Sequence, residues 1–365
     1  MPKKLDFDRK YFIDCLNKVS PAVKTRSPKV EFQHYRLVSN GEQLVLFATD
    51  GDFYMITPVL KSHEGGVDVL LPGKTLSILN AMHGDAFTLA INDESIVLSQ
   101  SGRRLKLQTI DPSNHAEIPN KEFDNAIVWD AGQFSEAVRR TAFCTDDANY
   151  RSAMAGVHVN CKSDCTEIIG LSERCGSLYH VSASHDKDEF NATLPVLPMM
   201  SALKCSGKES EIVHFQCSEN TCEINVDGTI VGTPQVNGKY PDYEYALLRD
   251  SQCDIHVDIP TTMLSSNLKL ATMVTNEETR AVKFNISEGQ LNLSSRGAEV
   301  GESELSTPVS YSGKDEEFEI NGEHIQKWLS TTTGEVIGLH FSNKPNKVLF
   351  VDGSNNFSIA VMRVQ

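Results

Sequence analysis

His158, Cys161, Cys165 and Cys175 fall within 18 residues and carry the ligand types of a zinc centre. Their spacings, x2, x3 and x9, do not match paired zinc knuckles. Val157-His158-Val159-Asn160-Cys161 also alternates like a strand, which points His158 and Cys161 to opposite faces. No metal and no cofactor are expected. The nine cysteines include no CxxC pair, and a long chain without a secretory leader reads as one with free thiols in a reducing cytoplasm. Leu71-Pro72-Gly73-Lys74-Thr75 ends like a phosphate loop, but that loop needs glycine at position 68, where Asp68 stands. There is no GxSxG elbow, HExxH helix or spaced carboxylate motif. The chain is not expected to be an enzyme.

The elements that would position any site repeat about every 120 residues. Phe12, Cys15, Leu16 and Val19 give the i, i+3, i+4, i+7 spacing of an amphipathic helix. The pattern returns at Phe134, Ala137, Val138 and Thr141, and again at Leu264, Leu268 and Ala271. A second helix follows each: Ile78, Ala81, Met82; Met199, Ala202, Leu203; Ile325, Trp328, Leu329. Between helices the period switches to strands, as in 35–38, 43–48 and 53–57, broken by the turn dipeptides Asn40-Gly41 and Asp50-Gly51. Matching strands fall at 156–160 with 167–171 and at 281–286 with 290–294. Strands at 87–91, 95–99 and 105–109 correspond to 336–341, 348–351 and 357–363. Each unit reads as two helices packed on antiparallel sheets, an α+β fold. The 365 residues divide into domains 1–122, 123–250 and 251–365, with polar boundaries near 121–125 and 249–253.

Net charge is −15, which by itself discourages binding to a polyanion. Its distribution is uneven. The six predicted helices (8–20, 72–83, 131–143, 195–208, 261–274, 322–333) hold ten basic residues against four acidic ones, a net of +6 that leaves −21 for the rest. No stretch approaches 18 apolar residues, so no membrane span is expected, and the start, Met1 to Asp8, has no apolar core of a leader.

Four motifs then stand out. Val236-Asn237-Gly238-Lys239-Tyr240-Pro241-Asp242-Tyr243 resembles the DG-basic-aromatic-PDY segment of the bacterial DNA polymerase sliding clamp, the polymerase III beta subunit family. Thr275-Asn276-Glu277-Glu278-Thr279-Arg280-Ala281-Val282 is similar to that family's SNE-x-x-R-G-V run. Ser101-Gly102-Arg103-Arg104-Leu105 and the terminal Val361-Met362-Arg363-Val364 complete the set, and length, threefold repeat and element order agree over the whole chain. The resemblance implies three repeated DNA-clamp domains and a head-to-tail homodimer forming a closed ring, with helices lining the hole. Such a ring encircles double-stranded DNA without reading sequence. It tethers the replicative polymerase subunit, is loaded by a clamp loader, and serves other proteins carrying short clamp-binding peptides in the cytoplasm, at the nucleoid. The alternative is a clamp-like paralogue that kept the ring with altered peptides or weak DNA contact.

The resemblance also implies site residues. Arg26 and Lys74 match basic DNA-facing positions, as does Lys204; Arg139, Arg140, Lys269 and Lys327 join them as helix cations. The family's aromatics after Arg151 are replaced by Ser152-Ala153, and its basic residue after Pro195 by Val196. The partner-peptide pocket maps to Met154, Ser172, Leu178, Pro241, Tyr245, Ala246, Ile359, Val361, Met362 and Arg363. Here Glu173-Arg174-Cys175-Gly176-Ser177 is one residue longer than the family's turn, and Tyr245 replaces a basic residue. The dimer seam maps to Leu105 and Leu107 against Met273 and Val274. Arg103, Arg104 and Lys106 lie on one side, and Glu299, Glu302 and Glu304 on the other, so that oil meets oil and base meets acid.

Overall fold

A computed structural model describes residues 3–40, 43–60, 65–146, 152–182, 189–207, 210–298, 300–353 and 355–362. Seven α-helices occur among them: α1 (Arg9–Val19), α2 (Thr75–Ala81), α3 (Ala131–Thr141), α4 (Val196–Cys205), α5 (Tyr243–Ala246), α6 (Thr261–Met273) and α7 (Gly322–Leu329). Six fall on the six expected from periodicity; α5 is a short addition. Asp8 opens α1 as its N-cap, accepting from the Tyr11 N–H at 2.8 Å, which satisfies a donor the helix cannot satisfy itself. Phe12, Cys15, Leu16 and Val19 are its buried face, as the spacing required.

Every strand pairing among the described residues is antiparallel. The chain divides into two compact units, residues 1–132 with 197–235, and 133–196 with 236–365. The first unit holds a four-stranded sheet (3–8, 86–91, 95–100, 103–108) and an eight-stranded one. In the latter, strands 34–40, 43–49, 54–60 and 68–72 continue into 127–130, 212–217, 221–226 and 229–234, joined where Ile56 meets Ile230 and Tyr54 meets Gly232. The second unit repeats the plan. Strands 156–161, 166–171, 175–181 and 190–195 continue into 255–260, 336–341, 347–352 and 355–360, joined where Cys175 meets Ile359. Its four-stranded sheet is 281–287, 290–297, 301–308 and 316–321. Both units are α+β with antiparallel sheets, the expected class.

Phe7, Phe12 and Phe87 form one aromatic nucleus of the first unit, with centroids 4.7 to 5.6 Å apart. Trp328 anchors the second, stacked on Phe357 at 5.7 Å, with its indole N–H donating to the buried Asn355. Burying each such ring stabilises the fold by about 2–3 kcal/mol.

The phosphate-loop look-alike is a packing turn. Gly73 N–H donates to the Gln33 carbonyl at 2.9 Å, and a Cβ at 73 would sit 2.9 Å from that oxygen, so the backbones require glycine there. One expectation about cysteine is corrected. Seven are free, but Cys217 and Cys222 are joined, because the turn between strands 212–217 and 221–226 makes them cross-strand partners with Cα atoms 4.1 Å apart.

Candidate functional sites

The segment 236–243 builds a pocket by docking its aromatics. Tyr240 is buried and stacks flat on His158 at 4.2 Å, and burial depresses the His158 imidazole to about 4, so it sits there neutral at physiological pH. Asp242 caps α5 by accepting from the Glu244 and Tyr245 N–H groups. Tyr243 then donates to Glu167 at 2.6 Å, and Glu167 also pairs with Lys162 at 2.9 Å. This network holds α5 over the sheet and encloses a cavity of about 340 Å³. Met154, Ser172, Pro241 and Ala246, four of the positions that the resemblance maps to a peptide pocket, line it. Leu178 lines an adjoining cavity of about 290 Å³ that shares Leu247 and Ser358 with the first.

Several lining residues were not foreseen: Leu171, Cys175, Gly176, Leu247, Lys347 and Ala360. Gly176 matters most, since a Cβ there would lie 2.4 Å from Leu247 and 2.8 Å from Leu171, pushing both toward the cavity. The longer turn at 173–177 was the signal that could have found Cys175 and Gly176. Cys175 accepts a hydrogen bond from the enclosed Cys144 thiol, and His324 Nδ1 lies 3.8 Å away. That bond, more than the imidazole, brings the Cys175 thiol down to about 5 against the contrary effect of burial. Burial sends Cys144 well above its ordinary value.

Four of the implied positions are elsewhere. Tyr245 is 88% exposed and does not line the cavity, because the capped turn of α5 points it outward. Ile359 is buried in the hydrophobic core, and Val361 packs against that core, because strand alternation sends them there. Met362 is half-buried and its N–H donates to the Glu319 carbonyl at 2.7 Å, tying the chain end to another sheet. Arg363 lies outside the described residues.

Among the basic positions, Arg26, Lys74, Arg139, Lys204, Lys269 and Lys327 are all exposed. Arg140 is a correction. It is 2% exposed, with its guanidinium 2.7 Å from both Glu136 and Asp352, so burial and these two carboxylates keep it from a phosphate. Arg9 is likewise used internally, donating to the carbonyls of Leu79 and Gly84, and Lys18 pairs with Asp14 at 3.3 Å. Lys208 and Arg151 lie outside the described residues. The cationic surplus of the helices is therefore carried by fewer side chains than composition counted.

Seven of the implied seam residues sit on two edge strands among the described residues. Strand 103–108 is the last strand of the first unit's four-stranded sheet, and strand 301–308 the last of the second unit's. Arg103, Arg104 and Lys106 are exposed on the first, while Leu105 and Leu107 are half-buried on its core side, opposite Leu98 and Ile96. Glu302 and Glu304 are exposed on the second, with Glu302 3.2 Å from Arg296. Met273, 62% exposed, ends α6, which packs on that sheet and also shows Met263 and Leu270 to solvent; Val274 beside it is half-buried. Glu299 lies outside the described residues.

Paired helices over antiparallel four- and eight-stranded sheets, repeated along the chain, define the DNA-clamp class of α+β protein. The solved sliding clamp of Pseudomonas aeruginosa bound to griselimycin superposes with a TM-score of 0.92 over 100% of both chains at 17% identity. Residues 250–364 match the family model described as the DNA polymerase III beta subunit, C-terminal domain. The beta sliding clamps of Chlamydia muridarum and Chlamydia pneumoniae are 21% and 23% identical to it over 355 and 360 residues, 96% of each chain. Over nearly its whole length the chain is thus similar to bacterial beta sliding clamps, and its C-terminal third matches the family model of that subunit.

Proposed function

We propose that this protein is a DNA sliding clamp: two chains close head to tail into a ring that encircles duplex DNA and tethers the replicative polymerase. The observation that carries this reading is full-length agreement with clamp relatives, joined to a free basic edge at 103–108 and a free acidic edge at 301–308 on one chain. Unpaired edges invite a partner strand, and opposite charges set which edge meets which. The ring is built from three repeats per chain, 1–122, 123–250 and 251–365. It is not a catalyst; processivity comes from topology, and it works in the cytoplasm at the nucleoid. Arg26, Lys74, Arg139, Lys204, Lys269 and Lys327 make weak phosphate contacts along the hole, which permit sliding where strong neutralisation would arrest it.

The test is retention on DNA. After incubation with a clamp loader and ATP, the protein is expected to stay on nicked circles and to run off once the circle is cut. Equal retention on circular and linear DNA overturns the encircling reading and favours a clamp-like paralogue.

The cavity under α5 is the site for short apolar peptides of the polymerase, the loader and other partners. An apolar groove of this size, rimmed by Lys347 and Arg174, suits an amphiphilic peptide with an acidic end. Ala246→Arg, which places a long cation in the groove, is expected to weaken a fluorescent polymerase-tail peptide on the order of tenfold or more, a cost of at least about 1.4 kcal/mol. Unchanged anisotropy titrations would remove the peptide from this cavity.

A further inference from the structure

Asp250, His256 and His340 come together at the outer edge of the second unit's eight-stranded sheet, away from the cavity under α5. Strand 255–260 is the last strand of that sheet, and its neighbour 336–341 places His340 directly opposite His256. The rings stand edge to face, 4.4 Å between centroids, so their nitrogens converge instead of stacking apart. Asp250 opens a tight turn that backbone bonds hold against this edge: Cys253 N–H to the Asp250 carbonyl at 2.9 Å and Asp254 N–H to the Phe341 carbonyl at 3.1 Å. Its Oδ1 lies 3.1 Å from His256 Nε2 and 2.7 Å from His340 Nδ1. All three ligand atoms lie within 4.8 Å of one another, and among the described residues this is the one such grouping of His, Cys, Asp and Glu. Gly338 gives the His340 ring its room, since a Cβ at 338 would lie 2.4 Å from His340 Nε2.

We propose that Asp250, His256 and His340 bind a divalent late first-row transition-metal ion of the zinc class, with water completing its coordination. Two imidazole nitrogens and one carboxylate oxygen form a borderline N/O donor set that suits zinc and its neighbours and is too soft for magnesium or calcium. With metal–ligand bonds of about 2.0–2.2 Å, neighbouring donors stand roughly 2.9–3.5 Å apart. The two Asp250 contacts, 3.1 and 2.7 Å, already fall in or just below that range, and the imidazole nitrogens need only close to the same spacing for an ion to enter. The ion would replace the protons the imidazoles now share with the carboxylate. It would fasten the 249–254 linker, which follows directly from the α5 segment, to the sheet edge. The two histidines are 84 positions apart in sequence, so no spacing motif shows the site; strand pairing creates it.

The experiment is calorimetric titration of Zn2+ into the full-length protein after stripping with a chelator. One ion per chain is expected at micromolar affinity, with a rise in melting temperature that follows metal concentration by mass action. His256→Ala and Asp250→Asn change side chains that are 48% and 65% exposed, so both variants are expected to melt like wild type without metal. Each is expected to bind Zn2+ at least about tenfold more weakly. Substituting Co2+ is expected to give a spectrum without a thiolate charge-transfer band. No binding below millimolar Zn2+, affinity unchanged in both variants, or a thiolate band placing the ion on cysteine would each overturn the proposal.

Discussion

Replacing Leu107 by aspartate is expected to turn a dimer of twice 40.4 kDa into a monomer. Leu107 is half-buried on a free edge strand, so in the isolated chain the new carboxylate reaches water and the fold tolerates it. In the proposed seam it would be enclosed against the apolar surface to which Met273 belongs. Enclosing an unpaired charge costs about 4 kcal/mol or more, on the order of a thousandfold in the dimer dissociation constant. Sedimentation velocity over a micromolar concentration series reads this directly. A variant that sediments as wild type, or a wild type that is already monomeric at micromolar concentration, sinks the seam.

Arg140→Ala is expected to lower the stability of the second unit by about 3–5 kcal/mol, the usual result of breaking a buried ion pair from one side. Arg140 joins Glu136 on its own helix to Asp352 at 2.7 Å, and donates to Thr333 Oγ1 at 3.2 Å; alanine would strand Asp352, itself 9% exposed. Arg139, one position earlier, is exposed, and its loss is expected to move stability by under about 0.5 kcal/mol while weakening DNA contact. The protein has two tryptophans, Trp129 and Trp328, so urea unfolding followed by Trp328 fluorescence in a Trp129→Phe background isolates the second unit. Equal urea midpoints for Arg140→Ala and Arg139→Ala would contradict this division of labour.

These adjacent arginines show what sequence could and could not convey. Helix periodicity placed Phe134, Ala137 and Val138 in the core, and they are fully buried. A strict reading of 3.6 residues per turn leaves position 140 near the buried stripe, yet its charge invited a surface role. What decided the matter was Asp352, over two hundred positions away, which no local pattern predicts. Strands with strong alternation were legible to within a residue or two, as at 336–341 and 281–287. Strand 3–8 was not, because a single residue of it, Phe7, is buried and the rest reads as a polar start. The cavity lining was legible at Pro241, inside the 236–243 motif, and illegible at Cys175 and Gly176, where the turn is longer than in the clamps it resembles. The grouping of Asp250 with two cross-strand histidines was invisible for the same reason as the Arg140 pair: it exists only after strands have found each other.

The eight-stranded sheets bear on how such a chain can be shortened or inherited. Residues 123–250 supply four strands to each of them, so their loss is not the loss of one self-contained third. Deleting that stretch from the gene would halve both sheets and leave two raw edges, one at strand 54–60 and one at strand 355–360. A cut there therefore takes half a sheet from both compact units at once, and rejoining the flanking segments restores neither.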